Sequence, residues 1–290
     1  MKKYDPSGSS ILYRSTVLGA LILVLAAVLL PILYVVMSSF STKQEVLTRG
    51  FFLIPHEWTL GAYRYLMNND NFVESLFNAV YITAIGTFIN IVLTSLMAYG
   101  MSKSWLKGRK TLNFLVLVTM IFSGGIIPTF LIMKGLHLLD SYWAIWLGGA
   151  IAPFHLIVMR SFFQNIPQEL DEAGHIDGCG EFRLLVRIIL PLAMPAVATF
   201  TLFYMVGHWN TYFTAILYIN DTHRWPLQVI LRQMLITNTD SSFESSVIDY
   251  QFGPPVKMAA IVVTALPLLV VYPFLQKYFN KGMLLGSVKG

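Results

Sequence analysis

Long apolar runs alternate with shorter polar connections along this 290-residue chain. Six stretches hold no Asp, Glu, Lys or Arg: Thr16 to Met37, Leu76 to Met101, Leu112 to Met133, Tyr142 to Met159, Ala193 to Leu217 and Met258 to Gln276. A helix of about 20 residues crosses a hydrocarbon core of about 30 Å, and the runs sit at or near that length. None alternates with period two, and each is far longer than the roughly ten residues of a barrel strand. The pattern predicts an all-α polytopic membrane protein. Its six transmembrane helices are spread over residues 16–276, with an amino tail over 1–15 and a carboxyl tail over 277–290. Gly124, Gly125 and Pro128 predict a bend within the third run, and Pro153 and His155 make the fourth the least regular.

The connections orient the helices. The amino tail, residues 102–111, residues 160–192 and the carboxyl tail together hold 13 Lys and Arg, whereas the other three connections hold 7 despite their greater length. Cytoplasmic loops retain Lys and Arg, so both termini are expected on the cytoplasmic side. Lys103, Lys107, Arg109 and Lys110 carry most of that signal. The long polar stretches Ser38 to Glu74 and Tyr218 to Lys257 are then external. The first of them ends in an aromatic, amphipathic run, Trp58 to Met67, suited to lying along the membrane surface. The first apolar run follows Lys2, Lys3 and Arg14, as a signal peptide would. Its length exceeds the 7 to 15 or so residues of such a core and no A-x-A-like site follows, so a retained helix is expected.

Composition agrees with this reading. Charged residues make up 12% of the chain and hydrophobic residues 56%, with a mean hydropathy of +0.63. Soluble domains carry about 25% charge. The net charge of +5 comes from basic residues set between apolar runs, not from a basic face that would hold nucleic acid. A lone cysteine, Cys179, excludes an intramolecular disulfide framework and a Cys-rich metal site. No metal or cofactor is expected.

One connection stands apart. Between Pro167 and Pro191 lie five of the fifteen acidic residues: Glu169, Asp171, Glu172, Asp177 and Glu181. Pro167 suits a helix start, and acidic residues in the first turns complement the positive end of the helix dipole. Asp177-Gly178 supplies the positive-φ residue that ends a helix. A second helix is expected from Gly180 to Leu190, with Phe182, Leu185, Val186 and Ile189 on one stripe and Pro191 stopping it. The small residues Ala173 and Gly174 would let another protein approach the backbone, with Glu172 beside them to pair with a cation. An amphipathic re-entry helix with a solvated acidic face is the alternative reading of the same residues.

The run Glu172-Ala173-Gly174, then Gly178, then nine residues, then Ile188-Ile189-Leu190-Pro191 resembles the EAA loop of ABC importer permeases, E-A-A-x-x-x-G-x(9)-I-x-L-P. Gly174 replaces the second alanine. The likeness extends over the whole chain. Asn78, Ile127-Pro128, Asp140, Trp209-Asn210 and the tail from Gln276 to Phe279 look like the carbohydrate-uptake, maltose-type class. So do Lys281-Gly282 and the run from Gly286 to Gly290. That resemblance implies a multi-pass permease in a bacterial or archaeal cytoplasmic membrane. Its partners would be a second permease, two ATP-binding subunits and an extracytoplasmic sugar-binding protein, and transport would proceed by alternating access. Glu172, Ala173, Gly174, Asp177, Gly178, Leu190 and Pro191 would couple it to the ATPase, which Lys281, Gly282, Gly286, Lys289 and Gly290 of the tail would also contact.

The chain has no Gly-Lys dipeptide and hence no P-loop, so ATP chemistry would reside on a partner and no enzymatic activity is expected. The spans hold His155 and His208 but no carboxylate or lysine, which counts against a proton-coupled secondary carrier. A permease for a non-sugar solute stays open. Asn78, Tyr204, His208, Trp209 and Asn210 are candidates for a sugar path, since sugars are bound by aromatic faces, amides and hydroxyls. An aromatic belt at the membrane interface explains the same cluster, and Asn78 or Asn90 can equally bridge helices.

Overall fold

The structure is a computed structural model that describes residues 9–236 and 248–287, with side chains over 13–236 and 253–274. All regular elements among the described residues are helical. The chain divides into two compact units, Met1–Asp70 with Met234–Ala265 and Asn71–Gln233 with Leu266–Gly290.

In the first unit, the helix Ser9–Ser39 leaves its Leu, Val and Ile side chains from Val17 to Leu33 exposed, as a helix surrounded by lipid requires. It is followed by the short helix Lys43–Arg49, capped by the Thr42 side chain. Glu45 there accepts from Arg49 Nη1 at 2.5 Å and from the His56 backbone N–H at 2.8 Å. Burial pushes the Glu45 carboxyl up, but these bonds outweigh it and hold it below the ordinary carboxylate value. The amphipathic run expected over Trp58 to Met67 forms a helix only at Gly61–Met67. Ala62 and Leu66 are buried, while Trp58 and Leu60 stay exposed.

In the second unit, the long helix Asp70–Ser102 inverts the pattern of a water-soluble helix. Its buried stripe is mostly small or polar, with Ser75, Ala79, Thr83, Gly86, Thr87, Asn90, Thr94, Ser95 and Ala98 joined by the larger Phe72, Ile82, Tyr99 and Met101. Phe77, Val80, Tyr81, Phe88, Val92 and Leu96 are exposed. Small residues let helix backbones approach within a bilayer, where burying apolar surface gains little.

Three of the expected spans are bent. The third run separates into Arg109–Ile121 and Ile126–Gly135, which meet at 119° across Phe122 to Gly125. Gly125, at φ +82°, makes the turn. The fourth separates into Tyr142–Gly148 and Pro153–Gln164 at 56°, with Pro153 opening the second piece. The fifth forms Met194–Trp209, then breaks before Phe213–Tyr218. Before it, Glu181–Leu192 meets Met194–Trp209 at 87°. Among the described residues, Tyr13–Ser39, Asp70–Ser102 and Gly253–Phe274 are each long and apolar enough to cross a membrane. Counting each bent pair as one crossing gives up to six. The last helix, Ile248–Ser287, is interrupted at Gly253, whose φ is +42°.

Candidate functional site

Two features of the second unit concentrate its polar chemistry. The first is the connection from Pro167 to Leu192. The helix Gln168–Ile176 begins one residue after Pro167, which sits at the cap, not inside the first turn. Its end is closed by two backbone bonds: Gly178 N–H donates to His175 O at 3.0 Å and Cys179 N–H to Gly174 O at 2.9 Å. This 5→2 and 6→1 pair with Gly178 at φ +75° is a Schellman cap, as the Asp177-Gly178 pair predicted.

The second leg departs from expectation in two ways. Pro191 does not stop the helix. The chain widens to π geometry over Leu185–Ile189 and continues through Leu190 and Pro191 to Leu192. A π turn removes the bond that proline cannot donate, so the helix tolerates Pro191 without breaking. The buried stripe also differs. Leu184, Leu185 and Ile189 are buried in a core with Tyr99, Leu156, Met159, Phe163 and Phe200, whereas Phe182 and Val186 are exposed.

Gly174 corrects a further expectation, because it faces inward. A Cβ built there would lie 2.6 Å from Leu184 Cδ1, so its smallness brings the two legs together and does not open the outer surface. Glu172, Ala173, Asp177 and Gly178 are exposed, and beside them Ile176 is 86% exposed. The outer face of the turn is therefore an acidic and apolar tip on a rigid base.

The base is held to the end of the helix Asp70–Ser102. Lys103 Nζ pairs with Asp171 on the first leg and lies 4.4 Å from the Tyr99 ring centroid. Tyr99 donates its hydroxyl to Glu181 on the second leg, and His175 Nε2 sits 3.4 Å from the other Glu181 oxygen. None of these contacts was foreseen from the sequence.

The second feature is a polar hub among the apolar helices. Asn90 Nδ2 lies 3.1 Å from His208 Nε2 and donates to Gly149 O at 3.3 Å. The Tyr204 hydroxyl lies 2.8 Å from Thr94 Oγ1 and accepts from Ala152 N–H at 3.0 Å. His208 fits only because residue 86 is glycine. A Cβ there would lie 2.6 Å from His208 Nε2 and 2.8 Å from Trp146 Cδ1. Asn90, His155, Tyr204, His208 and Thr211 line a cavity of about 540 Å³. His155 is packed among Phe200, Phe203 and Tyr204 with centroids 4.6–5.6 Å away.

The hub does not gather all the expected residues. Trp209, one position on from His208, turns toward a separate apolar hollow lined by Thr83, Thr87 and Pro267. Asn210 is exposed and donates to Val206 O of its own helix at 2.9 Å. Asn78 donates to His223 O and Trp225 O, at 2.7 and 3.3 Å. It thus joins the helix Asp70–Ser102 to an outer segment that Asp140 also holds, accepting from the Asn220 and Asp221 amides. Among the described residues no group of three or more His, Cys, Asp or Glu could hold a metal ion.

The amino-acid sequence matches a known family over most of its length. Residues 60–285 fit the binding-protein-dependent transport system inner membrane component. The chain belongs to that family. Members are polytopic membrane permeases, transport components and not catalytic subunits, that work with a solute-binding protein. The permease is 49% identical over 282 residues to the polygalacturonan/rhamnogalacturonan transport system permease protein YtcP of Bacillus subtilis, covering 96% of this chain and 99% of that one. It is 48% identical to protein LplC of the same organism, over 91% and 90% of the two chains. It superposes with a TM-score of 0.89 and 31% identity on a chain of a bacterial ABC transporter that imports the acidic polysaccharide alginate, covering 96% and 100%.

Of the carboxyl-tail candidates, Lys281, Gly282 and Gly286 continue the last helix, and Lys289 and Gly290 lie outside the described residues. A signal for the hub was present in the sequence. The small and polar residues of the second apolar run recur at three- and four-residue spacing from Ala79 to Ala98, a pattern that hydropathy averages away.

Proposed function

We propose that this chain is the permease subunit of an ATP-driven importer for oligosaccharides of an acidic polysaccharide. In this reading it pairs with a second permease, two ATP-binding subunits and an extracytoplasmic binding protein, with both of its termini in the cytoplasm. The substrate class rests on its likeness to permeases named for polygalacturonan/rhamnogalacturonan and alginate transport.

The observation that carries the coupling role is the exposed tip of Glu172, Ala173 and Ile176 on a capped, buried base. An exposed carboxylate with a small and an apolar neighbour suits a cleft that offers a cation and apolar walls. Ala173 admits close approach, Glu172 meets a cation, Asp177-Gly178 sets the turn between the legs, and Leu190-Pro191 carry the second leg to its 87° junction with Met194–Trp209. Nucleotide-driven closure of the ATPases then moves the helices between outward and inward states, biasing an existing equilibrium. The carboxyl tail from Lys281 to Gly290 adds a second contact with the ATPase. Tyr204 and His208 contribute to the sugar path where they line the cavity. Asn78 ties the helix Asp70–Ser102 to the segment of His223 and Trp225, and Trp209 and Asn210 do not line the cavity.

The reading is tested in proteoliposomes holding the complete transporter. Uptake of oligogalacturonides and alginate oligosaccharides should require ATP and the binding protein, with a neutral arabino-oligosaccharide transported less well. Glu172→Ala should leave the complex in the membrane while ATP hydrolysis no longer drives uptake. Normal coupled uptake by that variant would remove the docking role, and equal transport of the neutral sugar would remove the substrate class.

A further inference from the structure

We infer that Tyr99 and Lys103, at the end of the helix Asp70–Ser102, clamp both legs of the coupling loop and make that helix move with the loop as one body. The inference rests on the coupling role proposed for the loop, and it assigns positioning residues outside the EAA pattern.

The two legs, Gln168–Ile176 and Glu181–Leu192, connect by chain only to the helices before and after them. Force applied at the tip therefore has a covalent route to Pro153–Gln164 and Met194–Trp209, but none to Asp70–Ser102. The clamp supplies that route twice. Lys103, only 8% exposed, pairs with Asp171 on the first leg. Tyr99, equally buried, donates to Glu181 on the second. The Lys103 ammonium also sits over the Tyr99 ring, so the two anchors support each other. Beneath them Tyr99, Met101, Leu184, Leu185 and Ile189 share one core.

The pair is half-buried, with Lys103 buried and Asp171 27% exposed, so parting them leaves the enclosed ammonium without its counter-charge. A packed core has discrete arrangements and does not stretch continuously. The joint therefore transmits displacement. The helix so held carries Asn90 and Thr94, which bond His208 and Tyr204 in the hub. Movement of the tip is thereby delivered to both walls of the hub.

The test uses the complete transporter in proteoliposomes, reading basal ATPase, ATPase stimulated by the loaded binding protein, and uptake. Lys103→Met and Asp171→Asn should assemble and keep basal hydrolysis while stimulation falls by about tenfold, within the range typical of coupling between sites. The exchanged pair K103D/D171K should recover much of the loss. A second measurement does not depend on weakening the joint. In a Cys179→Ser background, K103C and D171C joined by a short bismaleimide should still transport, since the two parts never separate. Abolished transport in the linked protein, or stimulation in the single variants equal to wild type, would overturn the clamp. If Glu172→Ala uncouples while the clamp variants do not, the clamp falls and the docking role stands. If the clamp variants uncouple while Glu172→Ala does not, Glu172 is not the docking contact and the coupling role of the loop stands.

Discussion

Gly86→Ala adds one methyl group at the tightest point of the hub. The new Cβ would lie 2.6 and 2.7 Å from two atoms of the His208 ring and 2.8 Å from Trp146 Cδ1. Both rings are buried, and Trp146 is fixed by its Nε1 bond to Ile82 O at 3.1 Å, so neither can swing freely aside. Overpacking of this kind costs about 1–3 kcal/mol. Displacing His208 from Asn90 costs a further 0.6 kcal/mol or so, the average for a side-chain bond between membrane helices. Alanine returns about 1 kcal/mol in helix propensity. The net expectation is a loss of about 0.6–2.6 kcal/mol. Gly100→Ala on the same helix is the control. Nothing lies within 4 Å of its Cβ, so only the propensity gain remains. Thermal stability in detergent, followed by size-exclusion chromatography of a fluorescent fusion, should rank Gly100→Ala at or above wild type and Gly86→Ala below it. Adding His208→Ala should recover part of the loss, because Trp146 still crowds the site, and the two substitutions should therefore be non-additive. A Gly86→Ala protein as stable as wild type, or strict additivity, would refute the packing argument.

Two further outcomes are expected. His223 Nδ1 lies 3.1 Å from Glu74 Oε2, and the bond to Glu74 followed by its charge raises the imidazole above its ordinary value. The contribution of this pair to stability is fully present below the unfolded imidazole value, about 6.5, and is lost as pH rises through the raised folded value. Titration of His223 by NMR should show its midpoint falling in Glu74→Gln, and an unchanged midpoint would rule the pair out as the cause. Deleting Lys281 to Gly290 should lower co-purification of the ATP-binding subunits without removing the permease from the membrane, and full recovery would exclude a tail contact.

The turn of the coupling loop was legible in the sequence because its cause is local. Asp177-Gly178 closes a helix by backbone conformation alone, and the structure shows that cap in place. The bend in the third run was legible for the same reason, with Gly125 at the turn. The stripe of the second leg was not. Assuming 3.6 residues per turn placed Phe182 and Val186 inward; Leu185 and Ile189 are buried as expected, but Leu184 takes the place of Phe182 and Val186, next to a π turn over Leu185–Ile189. Nothing local marks that turn except Pro191, which reads equally as a stop.

By itself the sequence determined that this is an all-helical membrane protein, that its apolar runs are interrupted where glycine and proline stand, and that one acidic loop carries a capped turn. Those properties follow from hydropathy over a span and from backbone preferences over a few residues. Which polar groups meet was decided only by the tertiary structure. Asn90 finds His208 across 118 positions, Thr94 finds Tyr204 across 110, and Lys103 finds Asp171 across 68. In a bilayer a small or polar residue is free to serve any neighbouring helix. The partner is set by the packing of the bundle, not by the residue's place in its own run.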